Sequence, residues 1–420
     1  MEKSPNGAAA EIGQPTSLAD IPFASRPAVA VLPFVFSSED TSQSYIADGI
    51  TEDITTLLSY WRWLPVIAFN SARQLTDENL AATDAGRKLG AEYVVVGSVR
   101  GTRKRLRITS ELIDANSGRQ LWTRRFDKDL GNLFEIQDEI AAEIANNIEP
   151  ELERAEQRRA MRKPPTDMGA WECVARAGAL LTDLTREHVA EARSWAEKAI
   201  DLDPAFSHAH SLLASCHWME GIFGWSADPA SAFDACEASA RRAVIVDDAD
   251  WMAHAYLGIS SLWNRRAHDV AIAEFGRALE LNPSAAQAHH GFACALEFAG
   301  RPDEALPHLK TVLRLDPSYR NRAALLGDFA LSHLLLGNYE AALDFAEQSV
   351  AAMPEYARGL HRLAAILGHL GRKDDARSAR DNLLKLQPDF SKAYIESTYP
   401  FREQRDLERL LTGLRKAGLI

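Results

Sequence analysis

The stretch Val270–Pro317, VAIAEFGRALELNPSAAQAHHGFACALEFAGRPDEALPHLKTVLRLDP, holds two prolines 34 residues apart, and each follows an alanine by twelve residues: Ala271 before Pro283 and Ala305 before Pro317. The pair returns as Ala342 and Pro354, as Ala376 and Pro388 after a further 34 residues, and upstream as Ala192 and Pro204. A small residue lets two helices approach closely, and a proline stops a helix because it cannot continue the hydrogen-bond ladder. The pattern therefore reads as repeated helix pairs, none of which can bury its apolar face without a neighbour.

Aligning the ends of the second helices gives six units, closed by Glu191–Pro204, Ala235–Asp248, Val270–Pro283, Glu304–Pro317, Ala341–Pro354 and Asp375–Pro388. In the second unit Asp248 stands for proline and Cys236 for alanine, and both suit the packing. Gly300, Gly337 and Gly371 mark turns between paired helices. The step from Pro204 to Asp248 is 44 residues, which predicts an insertion around Gly221–Phe233 (GIFGWSADPASAF). The last predicted helix, Glu403–Leu414, carries Leu407, Leu410, Leu411 and Leu414 on one side and is expected to cap the final repeat.

A period of 34 residues with this pattern resembles the tetratricopeptide repeat. The resemblance implies a superhelix whose concave face is lined by the first helix of each pair and binds a protein or peptide. His210, His217, His254, His289, Arg322 and His361 are the candidate contact residues on that face.

The chain has 420 residues, 46% hydrophobic and 25% charged, with a net charge of -12. That length accommodates two or three domains. The acidic balance disfavours generic binding to nucleic acid and to anionic membrane surfaces. Cys173, Cys216, Cys236 and Cys294 are far apart, so a reducing compartment and a cytoplasmic location are expected. No apolar run is long enough to span a membrane. Residues 1–27 read as a flexible tail without the apolar centre of a secretory signal.

Ahead of the repeats the element types alternate. Ala28–Phe34 (AVAVLPF), Leu64–Phe69 (LPVIAF) and Tyr93–Val99 (YVVVGSV) read as buried strands, with helices over Ser44–Trp61 and Glu78–Leu89 between them. This order predicts right-handed crossovers and a small parallel sheet. Leu106–Ile113 and Gln120–Phe126 alternate apolar and polar residues about the turn Asn116-Ser117-Gly118, which predicts an antiparallel hairpin. A long helix over Leu130–Met161 follows, with a kink expected at Pro150. The expected organisation is an α/β domain with its long helix over 28–162, a linker over 163–168, six repeats over 169–400 and a capping helix over 401–420.

Residues 28–34, 45–71 (YIADGITEDITTLLSYWRWLPVIAFNS), 86–100 (GRKLGAEYVVVGSVR), 106–122 and 134–141 together resemble the TolB-amino-terminal-like domain, and residues 400–420 resemble the tail of its cyclase-linked members. In that family the domain and its repeats accompany class III adenylate or guanylate cyclase domains or CadC-like DNA-binding domains. One departure is at Phe69–Leu75 (FNSARQL), where relatives usually place an arginine before Asn-Ser. The residues ahead of the first strand are too few for a cyclase or winged-helix domain, so the reading is a non-catalytic regulatory scaffold. The alternative is an accessory module of a separately encoded cyclase or transcriptional regulator.

No phosphate-binding glycine loop, zinc-protease motif or nucleophile elbow is present in the sequence. Asp48, Gly49 and Glu52, with Asn70, Ser71, Gly97 and Ser98, are a candidate small-ligand cluster at the carboxyl edge of the sheet, where such sites form. An acidic helix start is also ordinary capping. Arg100, Arg103, Lys104, Arg105 and Arg107 read as a solvated hairpin face. The repeat histidines, including His208 and His290, read as packing or groove residues. No metal or cofactor is expected.

Overall fold

The computed structural model describes residues 26–37, 45–75, 80–101, 105–129, 133–182, 184–317 and 319–420. These form two compact units, the first ending at Ala145 and the second running from Asn146 to Ile420. Most of the expected tail, Arg103, Lys104 and the first residues of three predicted helices lie outside the described residues.

The first unit is a small mixed sheet with helices. Strands β1 (Val29–Val31) and β2 (Val35–Phe36) both pair in parallel with β3 (Tyr93–Gly101). β3 then pairs antiparallel with β4 (Arg105–Asp114), and β4 with β5 (Gln120–Asp129). The expected first strand is thus two short ones. Pro33, between them, has no amide to give the ladder, and the Phe34 amide donates instead to Thr51 Oγ1 at 3.0 Å. The hairpin turn is an aspartate turn: Asp114 Oδ1 accepts from the amides of Asn116 and Ser117 at 3.0 Å each.

One strand expectation is corrected. Leu64–Phe69 forms only a single parallel bridge, Val66 to Val29. Pro65 lacks an amide hydrogen, and the chain turns into the short helix α2 (Phe69–Arg73) directly afterwards. Helices α1 (Tyr45–Ser59) and α3 (Ala82–Leu89) cover the sheet with Ile46, Ile50, Ile54 and Leu58 fully buried. Helix α4 (Leu133–Arg162) continues unbroken through Pro150.

The second unit holds six helix hairpins in chain order: α5 (Ala170–Leu180) with α6 (Arg186–Leu202), α7 (Ser207–Ile222) with α8 (Pro229–Val246), α9 (Trp251–Trp263) with α10 (His268–Leu281), α11 (Ala286–Phe298) with α12 (Pro302–Leu315), α13 (Arg322–Leu336) with α14 (Tyr339–Ala352), and α15 (Ala357–Leu370) with α16 (Lys373–Leu386). The ladder residues explain the packing. Ala192, Cys236, Ala271, Ala305 and Ala342 are fully enclosed, and Ala376 is exposed to 2%. Gly300, Gly337 and Gly371 take φ of 83°, 82° and 70° at the turns, a region open to glycine at little cost. In the third hairpin the same turn holds Arg266 at φ 51°, a conformation that a side chain disfavours.

Two short helices close the chain, α17 (Lys392–Thr398) and α18 (Gln404–Lys416). α18 does not cover the last hairpin as an end plate. It lies against the first helices α15 and α13, and Leu410, Leu411 and Leu414 are fully buried there. At about 1.5–3 kcal/mol for each buried leucine, this face strongly favours a seated helix. Ile395, Tyr399 and these leucines belong to one apolar core that extends through repeats two to six.

Candidate partner-binding groove

The first helices α9, α11, α13 and α15 lie side by side, and residues 392–420 run across the face they form. Polar contacts hold the main chain of that segment. Arg266 donates to the carbonyls of Glu396 and Ser397 at 2.9 and 2.8 Å, and Arg358 to that of Thr398 at 3.3 Å. These are terminal carbonyls of α17, where a cation is favoured. His268 Nε2 meets the Pro400 carbonyl at 2.5 Å, and the Arg402 amide donates to the Phe298 carbonyl at 2.8 Å. Arg409 of α18 reaches the Leu335 carbonyl, while its own carbonyl accepts from His369 Nε2 at 2.8 Å.

Aromatic contacts supply the rest. The Phe401 ring meets Phe298 edge-on at 5.0 Å, and Tyr399 meets the same ring at 6.2 Å. Arg358 lies between Trp263 and Tyr399, 4.5 and 4.9 Å from their ring centres. Where α18 crosses α15, Gly413 and Gly368 bring the two backbones into contact, and a Cβ on either would collide with the opposite main chain.

Among the sequence candidates, His361 lies under this segment. It is fully buried, with Nε2 against Gln387 Oε1 at 2.8 Å and Nδ1 against the Tyr399 hydroxyl at 3.2 Å. Burial holds its pKa down at about 3. Four others share a different task. His210, His254 and His289 direct Nε2 to the carbonyls of Pro204, Asp248 and Pro283 at 3.0–3.1 Å, and Arg322 reaches that of Pro317 at 3.4 Å. Each side chain thus braces the turn that brought the chain into its own repeat. His254 also meets Glu274 at 2.7 Å, and that hydrogen bond raises its pKa. His289 meets His308 at 2.9 Å, and burial lowers its pKa. His217 faces Glu220 at 3.4 Å, and burial again lowers its pKa.

Sequence reasoning missed a buried polar cluster between α11, α13 and α15. Asp328 Oδ2 accepts from His290 Nε2 at 2.7 Å and from the Cys294 thiol at 3.4 Å, while Oδ1 pairs with Arg362 Nη2 at 2.7 Å. Burial would raise the Asp328 pKa, but the Arg362 charge and the His290 hydrogen bond outweigh it and hold it at about 2. Glu297, fully buried beside Ser332, is pushed well above the usual carboxylate range by burial and by the charge of Asp328. The donor atoms of His290, Cys294 and Asp328 lie within 4.8 Å of one another. The guanidinium of Arg362 already provides there the charge that a cation would bring. The helical spacing of His290, Cys294 and Glu297 on α11 was the available signal, but their partners come from other helices.

In the first unit the candidate ligand residues are drawn into the fold. Asp48 faces Arg73 at 3.9 Å, which places α1 beside the helix that carries Asn70 and Ser71. Gly49 packs against the Gln137 amide, which donates to Asp53 at 2.6 Å. Glu52, Asn70 and Ser71 are exposed. Gly97 lies beneath the Phe34 ring, and Ser98 is opposite Val35 and Thr109 in the sheet. Arg105 and Arg107 pair across strands with Asp129 and Asp127 at 2.8 and 2.6 Å, as a solvated hairpin would. No helix among the described residues is long and apolar enough to cross a membrane.

The second unit is thus an array of tetratricopeptide-type hairpins, and residues 284–355 match the tetratricopeptide repeat family. A protein of Rhizobium meliloti (strain 1021), "Putative adenylate cyclase 3", is 32% identical over 242 residues, 58% of this chain and 41% of that protein. The chain therefore spans about two fifths of that relative's length. Among solved structures, Pseudomonas aeruginosa pilF is 20% identical with a TM-score of 0.39, over 55% of this chain and 98% of its own. YrrB, described as a TPR protein with an unusual peptide-binding site, is 16% identical with a TM-score of 0.32, over 46% and 93%. The APC/C hetero-tetramer Cut9-Hcn1 is 15% identical with a TM-score of 0.46, over 67% and 49%.

Proposed function

We propose that this chain is a non-catalytic regulatory scaffold of the cytoplasm that binds a protein or peptide through the first-helix face of its repeats. The observation that carries this reading is the way that face handles residues 392–420: Arg266, His268 and Arg358 take main-chain carbonyls, and Trp263 and Phe298 provide aromatic seats. A surface that grips main chain and inserted aromatic rings has the chemistry of peptide recognition. Cross-linking of the chain to a partner captured from native cells tests the reading. Cross-links on α7, α9, α11, α13 or α15 are expected, and cross-links confined to the second helices would remove it.

A second reading rests on the cyclase-named relative. The chain would then serve as the regulatory part of an adenylate cyclase or transcriptional regulator, and its first unit would be the TolB-like domain of such proteins. In that setting the α1 and α2 surface around Asp48, Glu52, Asn70 and Ser71 is the place for a small ligand or a second partner. Co-purification with a cyclase, without ATP or GTP turnover by the chain itself, is the expected result. Cyclic nucleotide formation by the purified chain would overturn both readings.

A further inference from the structure

We infer that the face of α9, α11, α13 and α15 is a seat for an amphipathic helix led in by an aromatic–proline–aromatic turn, and that the chain's own residues 392–420 hold it closed against an external helix of that chemistry. The inference rests on the scaffold reading and specifies its partner.

The seat is defined part by part by its resident. Tyr399-Pro400-Phe401 enters over Phe298 and beside Arg358. Leu410, Leu411 and Leu414 follow at helical spacing on the buried side of α18. Gly413 meets Gly368 and Ala365 where the backbones touch, so an occupant needs a very small residue at that crossing.

Two features mark the resident as a ligand of this face as well as a piece of core. First, it covers cationic groups that it does not satisfy: Arg358 Nη1, and Nε and Nη1 of Arg362 beneath it, are buried without a hydrogen-bond partner. Removing the segment returns water to Arg358, which offsets part of the loss. Second, Arg266 keeps a disfavoured left-handed backbone at a turn where the next three hairpins use glycine, and its guanidinium is spent on the carbonyls of Glu396 and Ser397. An external helix with the same turn, the same leucine spacing and a small residue at the crossing meets every one of these contacts.

The test uses the full chain and a fluorescent synthetic peptide of residues 392–420. In the variant Gly413→Leu the resident helix clashes with the Ala365 carbonyl, and in Phe401→Asp its entry is lost, while the seat itself is unaltered. Both variants are expected to bind the peptide at least tenfold more tightly than the natural chain, and a peptide carrying Gly413→Leu should bind neither. Equal binding by natural chain and variants would leave the scaffold reading standing but overturn the closed seat. No binding by variants that keep cooperative melting would overturn the inference, while the cross-linking test above judges the scaffold separately. If the variants fail to fold, hydrogen exchange of the natural chain decides. Amides of α18 are expected to exchange through an opening that leaves α13 and α15 protected, and a common exchange rate for all three helices would overturn it.

Discussion

Arg362 of α15, exposed to 2%, pairs with Asp328 of α13 at 2.7 Å, and neither group has another route to water. The pair joins the last two hairpins beneath the C-terminal segment. Gly327 makes room for it, since a Cβ there would collide with Arg362 Nη1. Removing one member of a buried pair strands the other charge, which typically costs about 3–5 kcal/mol. Arg362→Met and Asp328→Leu should each lower stability by about that much, whereas the double variant should lose far less than their sum. Urea unfolding of all four proteins measures the cycle, and strictly additive losses would show that the two groups do not depend on each other.

His361 predicts an acid sensitivity. Its folded pKa of about 3 lies below the unfolded value of about 6.5, so below pH 6.5 the unfolded chain takes up a proton that the folded chain refuses. Stability from this group is fully present above about pH 6.5 and falls by up to about 1.4 kcal/mol per pH unit toward pH 3. Gln387, Phe390, Tyr394 and Tyr399 surround the ring, and Arg358 and Arg362 add further opposition to a positive charge. Thermal melts of the natural chain and His361→Gln from pH 7.5 to 4.5 should show a stability gap that narrows with acid. A constant gap would contradict a neutral, enclosed imidazole.

Gly97 and Gly118 should respond differently to alanine. At Gly97 the new Cβ would strike the Phe34 ring, which has no room to move without opening the contact between β2 and β3. Overpacking of this kind costs about 1–3 kcal/mol. At Gly118 only the left-handed φ of 69° opposes the change, at about 1 kcal/mol. Melting temperatures should rank Gly97→Ala below Gly118→Ala, and the opposite order would remove the proposed fit of Phe34 over the strand.

The four thiols should be inert in the folded chain. Burial pushes Cys216 and Cys236 up to about 12 and raises Cys173, and burial together with Asp328 raises Cys294 well above the ordinary range. A thiol reagent at pH 8 should label none rapidly and all four after unfolding. One fast equivalent before unfolding would contradict this burial.

The hairpin array was legible because its signals are local. Proline and alanine at a fixed spacing state where a helix ends and where two helices touch, and Gly300, Gly337 and Gly371 state where the pair turns. The strand read at Leu64–Phe69 failed for the complementary reason. An apolar run of that length suits a strand or a buried turn, and Pro65 with the helix at Phe69 decided between them. The histidines were legible as members of the repeat but not by role. Nothing adjacent in sequence told that His210, His254 and His289 would hold the preceding turn while His361 would lie beneath Tyr399.

By itself the sequence determined the six hairpins, the mixed α/β order ahead of them and the amphipathic character of the last helix, because periodicity, glycine and proline act over a few residues. Only the tertiary structure decided where that last helix goes. Its apolar stripe fits an end plate as well as a groove, and the choice was made by contacts up to 131 residues apart in the chain, as between Arg266 and Ser397, and by two glycines, Gly368 and Gly413, that let backbones meet. The same geometry brought Asp328 and Arg362 together out of water, since a buried charge is stable only where the fold has placed its partner.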